Sequence, residues 1–322
     1  METLKKYLQF LIPYGTMGCL LRKITLFQPV LLLALLACPG YLAAGGSDVT
    51  AGAFASFPVS VRGAGMGGTY TAVVRRTGAA YHNPAWLGYA DTRSAGLSYA
   101  DLSSLGLVRN VYLEYVQPDK GYGASGIYWN WRGTTVEGPG GIGELGYAEN
   151  TVCYALGKRL GDYLSAGVAV KGYFISTDIV DTGGKGAGLD LALYAEPDPF
   201  STVGVVLRNA LSRLSWDSGL SDGLPMEIDL GGSYLIVEGL LAAAELHFER
   251  GHYGSFGAGA EYEILPETFF IRGGVTRRFD RTTPSFGLGY QREVFRFDYA
   301  AEIDAGHAGI GTTHRVGMSL DF

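Results

Sequence analysis

Gly63, Gly65 and Gly68 stand in a Gly-x-Gly-x-x-Gly pattern, the spacing used by loops that hold the phosphates of dinucleotides. Such a loop needs a strand before it, a helix after it and an acidic residue about twenty positions on. The residues around 63–68 offer no such parallel βαβ unit. The pattern therefore favours a turn whose small residues let the backbone approach a neighbouring wall, and we expect no cofactor.

Histidine is the other residue type that could support chemistry, and the chain has five: His82, His247, His252, His307 and His314. A catalytic histidine needs a nucleophile and an orienting group within hydrogen-bond reach, and no short motif marks a serine partner. Cys153 would be the one cysteine left after removal of a leader, which excludes an internal disulfide and a cysteine-based zinc site. We expect no catalytic residue and no metal. A barrel-embedded hydrolase stays as an alternative function.

A further set of candidates shares one face of alternating segments in the second half of the chain: Glu245, His247, Glu261, Arg272, Arg296 and Asp298. These side chains could line a solute path. More often such charges satisfy one another and water inside a barrel, because a charge facing lipid costs roughly 2–4 kcal/mol. The structural role is favoured, with Arg272 and Arg296 as counter-ions of an otherwise acidic wall.

The elements that must position these residues are β-strands. From Arg93 to Phe322 the chain reads as fourteen alternating segments, most of them long enough to cross a bilayer as tilted strands. Near the C-terminus, Phe295, Phe297 and Tyr299 would face one way, and Arg296 and Asp298 the other. Each strand therefore presents one apolar and one polar face.

The connections between these segments sort by parity. Links after even-numbered strands are tight, such as Leu160–Asp162 and Pro266-Glu267, whereas links after odd-numbered strands are mostly longer, such as Arg132–Gly146 and Leu211–Pro225. Short periplasmic turns, longer extracellular loops and an even strand count are typical of bacterial outer-membrane barrels. The sequence predicts an all-β fold, an antiparallel transmembrane β-barrel of about fourteen strands over residues 93–322. Its last strand ends at Phe322, which resembles the terminal signal read by outer-membrane assembly machinery.

Composition agrees with this fold class. Only 17% of the residues are charged, and the chain contains 49 glycines and 21 tyrosines. No segment after the leader has the roughly 18 consecutive apolar residues of a membrane-spanning helix. The formal net charge of −6 argues against nucleic acid as a partner.

Residues 1–44 read as a signal peptide. Arg22 and Lys23 precede the apolar core Val30–Ala37, and small residues follow at a plausible cleavage site. Met17 would give a more ordinary start. Cys38 follows Leu35-Leu36-Ala37 as in a lipobox, so lipidation of Cys38 is an alternative to an ordinary apolar core.

Residues 45–92 do not read as strands and carry a resemblance. The stretch resembles the PorV/PorQ family, within the FadL-like superfamily of outer-membrane transport proteins, although Trp86 stands where the family pattern has Gly. The residues that match form an Arg-x-x-Gly-Met-Gly-Gly opening and an Asn-Pro-Ala close: Arg62, Gly65, Met66, Gly67, Gly68, Asn83, Pro84 and Ala85. The resemblance implies a small N-terminal hatch in the lumen of the barrel.

The resemblance also implies two functions. FadL-like members move hydrophobic molecules across the outer membrane, and PorV-like members serve as attachment or shuttle proteins in type IX secretion. We therefore expect a non-enzymatic outer-membrane protein that passes a hydrophobic small molecule, with a scaffold for secreted proteins as the alternative. The expected partners are outer-membrane lipid, the assembly machinery, and either that small molecule or secreted proteins.

Overall fold

The structure of the chain is a computed structural model that describes residues 57–102, 106, 108–137, 144–178, 183–249, 252–278, 281–303 and 311–322. The expected signal peptide, with Met17 and Cys38, lies outside the described residues, as does His307.

Fifteen antiparallel strands make up the sheet, and fourteen of them close into a barrel. Each of β1–β7 and β9–β15 pairs with its neighbour in sequence, β7 pairs with β9, and β1 pairs with β15 to close the ring. The two-residue β8 lies outside this ring and pairs with β7 alone. The prediction of a fourteen-stranded barrel is confirmed. The strands are β1 Ser94–Leu102, β2 Val108–Gln117, β3 Ala124–Glu137, β4 Glu144–Arg159, β5 Leu164–Thr177, β6 Gly184–Asp198, β7 Ser201–Trp216, β8 Ser221–Asp222, β9 Glu227–Val237, β10 Leu240–Glu249, β11 His252–Leu265, β12 Phe269–Arg278, β13 Arg281–Arg292, β14 Phe295–Glu302 and β15 Thr313–Asp321.

The alternation of apolar and polar residues decides which face of each strand points outward. On β15, Met318 and Leu320 are exposed on the outer surface, while Arg315 and Ser319 are buried inside the ring. A closed ring leaves no unpaired sheet edge, which is the condition for a sheet in lipid. Across the described residues, no helix has the length and apolar character needed to span a membrane.

Strand ends differ from the sequence prediction at β12–β13 and at β7. The link expected over Arg277–Thr283 shrinks to residues 279–280, because pairing of β12 with β13 continues to Arg278 and Arg281. Likewise β7 runs to Trp216, into the loop expected over Leu211–Pro225. In these stretches the hydropathy does not alternate, so the sequence carries no strand signal although the backbone ladder persists. Strands β3–β7 reach 14–16 residues, whereas β14 and β15 have 8 and 9.

Two ends of the barrel are distinguished below. The turn end holds the connections after β2, β4, β6, β9, β11 and β13, and the loop end holds the others. Residues 57–92, called the hatch segment, precede β1 and contain helix α1 (Val61–Gly65), helix α2 (Ala79–His82) and a 3₁₀ helix (Pro84–Tyr89). Helix α1 packs against β12–β15, and the 3₁₀ helix packs against β3–β6, so the segment lies across the interior of the ring.

Candidate functional site

Glycines on the inner wall form the seat of the hatch segment. A Cβ atom added to Gly167 would collide with the backbone of Pro84 and Ala85, and one added to Gly274 would collide with the backbone of Met66 and Gly67. The other wall glycines whose added Cβ would come within 3.2 Å of the hatch segment are Gly96, Gly126, Gly157, Gly204, Gly231, Gly257, Gly259, Gly287 and Gly317. The high glycine content of the chain therefore serves a close backbone-to-backbone approach.

The Gly63–Gly68 pattern ends α1 and turns the chain. Gly67 and Gly68 have φ angles of 69° and 75°, in the left-handed region that favours glycine. The Gly67 amide donates to Ser285 Oγ at 2.9 Å, which ties this turn to β13. The motif is a structural turn against the wall, as the sequence indicated.

Arg62 joins the hatch segment to the wall through a line of charges. Its guanidinium donates to both carboxylate oxygens of Glu261, at 2.9 and 2.6 Å, and to the Val73 carbonyl at 2.6 Å. Glu261 also accepts from Arg272 Nε at 2.6 Å. Arg272 in turn contacts Asp298 at 2.7 Å, and Asp298 accepts from Arg296 at 2.9 Å. Four of the charged residues singled out from the sequence thus lie in one network with Arg62.

Two buried wall carboxylates hold backbone amides of the hatch segment. Glu245 accepts from the amides of Tyr70 and Thr71 at 2.6 and 2.7 Å. Glu114 accepts from the amides of Gly78 and Ala80, the latter at 2.8 Å, and so satisfies free N–H groups at the start of α2. These bonds tie the segment to opposite sides of the ring.

The other end of α2 meets a buried arginine. Arg208 donates to the carbonyls of Tyr81 and His82, at 2.8 and 3.2 Å, and pairs with Asp229 at 2.6 Å. A cation at the last turn of a helix is favourable because the free carbonyls carry partial negative charge. The same Asp229 contacts His247 Nδ1 at 2.6 Å, so His247 lies beside a carboxylate on the inner wall. Within the described residues no serine hydroxyl bonds to His247.

His82 is a buried acceptor rather than a titrating group. Its Nε2 accepts from the amides of Val59 and Ser60 at 3.2 and 3.1 Å, and its ring stacks on Tyr70 with centroids 4.3 Å apart. Burial lowers the pKa of His82 well below its ordinary value, and the positive charge of Arg208 lowers it further. A neutral ring is what the two donated amides require.

The Asn83-Pro84-Ala85 motif starts the 3₁₀ helix and docks it. Asn83 Oδ1 accepts from the Ala85 amide at 3.1 Å, and its Nδ2 donates to the Thr71 carbonyl at 2.9 Å. Pro84 occupies the first helical position, where its missing N–H is not needed. Ser165 Oγ on β5 donates to the Ala85 carbonyl at 2.6 Å. Each residue of the motif therefore has a geometric task in seating the segment.

The inner wall has two unlike sides. Strands β2–β7 supply every wall side chain of the largest apolar cluster, which packs on α2 and the 3₁₀ helix: Tyr112, Val116, Ala124, Tyr128, Cys153, Ala155, Ala169, Ala192, Tyr194 and Val206. Strands β9–β15 supply charged side chains at the same level, including Asp229, Glu245 and Arg315. The first side is the more apolar of the two, although Glu114 on β2 and Arg208 on β7 are charged and buried there.

A second apolar cluster lies toward the loop end of β4–β7. Tyr173, Ile175, Leu214 and Leu224 form it, with Tyr147 and Trp216 packed against it. A polar collar separates it from the hatch segment: buried Lys171 pairs with Asp190 at 2.7 Å and donates to Asn209 at 3.1 Å. Asn209, with φ of 50°, forms a bulge in β7.

Sequence reasoning missed several of these residues. They include Glu114, Arg208 and Lys171, which lie on three different strands. Among the inward-facing residues of its strand near the hatch segment, each is the single charged residue. The signal in the sequence was a single charged residue on an inner face of otherwise apolar or small residues. Burying such a charge costs free energy unless a partner lies beside it.

The sequence matches no known family model and no curated protein. Solved structures share its fold. The toluene transporter TodX of Pseudomonas putida aligns with a TM-score of 0.62 and 13% identity over 82% of this chain and 98% of that chain. The toluene transporter TbuX of Ralstonia pickettii gives a TM-score of 0.58 and 17% identity over 82% and 96%. A FadL homologue of Pseudomonas aeruginosa gives 0.58 and 12% over 87% and 100%. The chain thus has the fold of FadL-like barrels.

Proposed function

We propose that this chain is an outer-membrane barrel that passes a hydrophobic small molecule across the membrane and past the hatch segment. The observation that carries the proposal is the fourteen-stranded ring with an internal N-terminal segment, a fold shared with two toluene transporters. The apolar outer surface, with Leu97, Leu113 and Phe286 each 40–45% exposed, suits contact with lipid.

The apolar side of the lumen supports a hydrophobic cargo. From the loop end, a molecule would contact the Tyr173–Leu224 cluster, cross the collar of Lys171 and Asp190, and reach the apolar cluster on the hatch segment. The collar is the polar part of this route, and an apolar molecule would find no apolar side chain to contact among the residues that form it. Passage then requires the hatch segment to shift, because its backbone fills the seat against the wall glycines.

A reversible lock tests this requirement. An added Cβ at Gly317 on β15 would lie 3.5 Å from Val61 Cβ on α1, at the lower edge of the roughly 3.5–4.5 Å separation that disulfides adopt. We expect the double variant Val61→Cys, Gly317→Cys to lose uptake of a toluene-class probe when oxidised and to regain it after reduction. Each single variant is the control. Equal uptake in the oxidised and reduced states would mean that cargo does not pass by movement of α1.

A second candidate function is an attachment scaffold for secreted proteins, and the length of strands β3–β7 favours it. At the loop end these strands extend past the flanking strands β2 and β9, which gives a projecting surface suited to a protein. The same lock separates the two functions, since a scaffold would work with the hatch segment fixed. Secretion that fails on gene deletion but persists in the oxidised double variant would support the scaffold and not passage.

A further inference from the structure

A small cavity lies between the hatch segment and the strands β1, β14 and β15. Its volume is about 30 Å³, room for roughly two water-sized groups. Four arginines line it, Arg62, Arg75 and Arg76 from the hatch segment and Arg296 from β14, against the single carboxylate of Asp298. Its chemistry is therefore that of clustered guanidinium groups.

The charges around this cavity do not balance. Among the described residues, Arg62, Arg272 and Arg296 form ion pairs with the carboxylates of Glu261 and Asp298, three cations with two anions. Arg76 is paired with Asp321 at 3.0 Å, and no ion pair of Arg75 is found among the described residues. An uncompensated charge next to a buried space is costly unless a counter-ion joins it.

One donor of the lining residue Arg296 also lacks a partner. Arg296 donates through Nε to Asp298 at 2.9 Å and through Nη1 to Gln291 at 3.3 Å. Its Nη2 is buried and bonds to no group within the described residues. A buried N–H left unsatisfied costs about 1–3 kcal/mol, more on a charged group. The planar guanidinium fork is suited to carboxylates and other anions.

We propose that this cavity binds one small monovalent anion, a halide ion or a carboxylate group, between Arg296 of the wall and the arginines of the hatch segment. The anion supplies the missing negative charge and accepts from the guanidinium groups that line the cavity. Because Arg62, Arg75 and Arg76 belong to the hatch segment and Arg296 to the barrel, the anion holds the segment in its seat. This site does not depend on the proposed passage of a hydrophobic molecule.

Bromide locates the site directly. Crystals of the full-length protein soaked in sodium bromide are measured at the bromine absorption edge. We expect an anomalous peak in the cavity, within hydrogen-bond distance of at least one of the guanidinium groups that line it. A cavity that holds only water, with no anomalous peak, overturns the proposal.

Thermal unfolding in detergent tests the site in solution, with sodium chloride, formate and sulfate at equal ionic strength. Chloride and formate should raise the melting temperature in proportion to the logarithm of their concentration, and the larger sulfate should add only the general stabilisation that it also gives Arg296→Gln. Arg296→Gln should abolish this selectivity, while Arg278→Gln, which removes a half-exposed arginine that lies 3.7 Å from Glu249, should keep it. If Arg296→Gln does not fold, the bromide experiment decides alone. An equal response of the wild type to all three salts overturns the proposal.

The alkyl chain length of the carboxylate distinguishes two possible sources of the anion. Octanoate that stabilises more strongly than formate would indicate the carboxylate end of an amphipathic molecule. Formate and chloride that act as well as octanoate would indicate a solvent ion. Both results support an anion site, and they assign it different ligands.

Discussion

The substitution Arg62→Gln should release the hatch segment without opening the barrel. Arg62 is the one hatch side chain that bonds both oxygens of a wall carboxylate, and the pair is largely buried, with 14% and 9% of the two side chains exposed. Glutamine can keep one of its hydrogen bonds but not the charge. Glu261 retains Arg272 as a partner, so the carboxylate is not left bare.

The magnitude follows from that geometry. Removing one partner of a buried ion pair costs roughly 3–5 kcal/mol when the other is left alone. Since Glu261 keeps Arg272 and glutamine keeps one bond, we expect roughly 2–4 kcal/mol, using about 1.5–3 kcal/mol for each hydrogen bond to a charged group. At about 1.4 kcal/mol for each tenfold change, the seat should open between about thirty-fold and about a thousand-fold more often.

Hydrogen exchange followed by mass spectrometry measures this opening. Amides of residues 57–92 should exchange faster by that factor in Arg62→Gln, while amides of β4 and β5 keep their rates. Arg278→Gln is the matched control, because an exposed pair contributes only about 0–1 kcal/mol. Hatch amides that exchange at the wild-type rate in Arg62→Gln would refute the idea that this ion pair holds the segment.

Two further predictions concern the seat. Gly167→Ala places a methyl group against the Pro84–Ala85 backbone and should destabilise the seat by roughly 1–3 kcal/mol. Gly172→Ala on the same strand adds a methyl group that would make ordinary contacts with wall residues, the nearest with Phe174 at 3.5 Å, and should leave hatch exchange unchanged. Because the pKa of seated His82 lies below its ordinary value of 6.5, the released segment binds the extra proton, so seat stability present above pH 6.5 is lost as the pH falls below it. Hatch exchange, corrected for intrinsic rates, should rise by up to about tenfold for each pH unit below that value, and His82→Gln should remove this slope; the same slope in His82→Gln would assign it to other groups.

The sequence was sufficient for the ring of strands but not for the ends of the longer ones. Phe295, Phe297 and Tyr299 alternate with Arg296 and Asp298 because one face points outward and the other into the lumen, so hydropathy reports the strand. Beyond Arg277 both faces are polar, and beyond Leu211 the apolar residues do not alternate, so only backbone pairing continues these strands.

The site was predictable in part for a similar reason. Side-chain alternation indicates that Glu261 and Arg272 share a face, but not that Arg62, some 200 positions earlier, bonds to Glu261. The contact depends on where the hatch segment lies, which local pattern does not encode. Glycine content was the overlooked signal: a strand loses stability with each interior glycine, so repeated glycines at inward positions indicate that another backbone lies against them.

The bonds that hold the hatch segment to the wall differ in type along its length, and this difference bears on how the segment would move. The stretch from Arg62 to Thr71 is bonded to β10 and β11 through the carboxylates of Glu261 and Glu245. The 3₁₀ helix, by contrast, is held against β4–β6 by apolar packing and by the single bond from Ser165 to the Ala85 carbonyl. Packing against small residues such as Ala155 and Ala169 is not directional, so that edge can slide at a lower cost than charged groups can separate. The weaker edge lies under the apolar side of the lumen, where a hydrophobic molecule would arrive. The 3₁₀ helix can therefore yield along β4–β6 with few broken bonds, whereas α2 stays bonded to Glu114 on β2 and to Arg208 on β7.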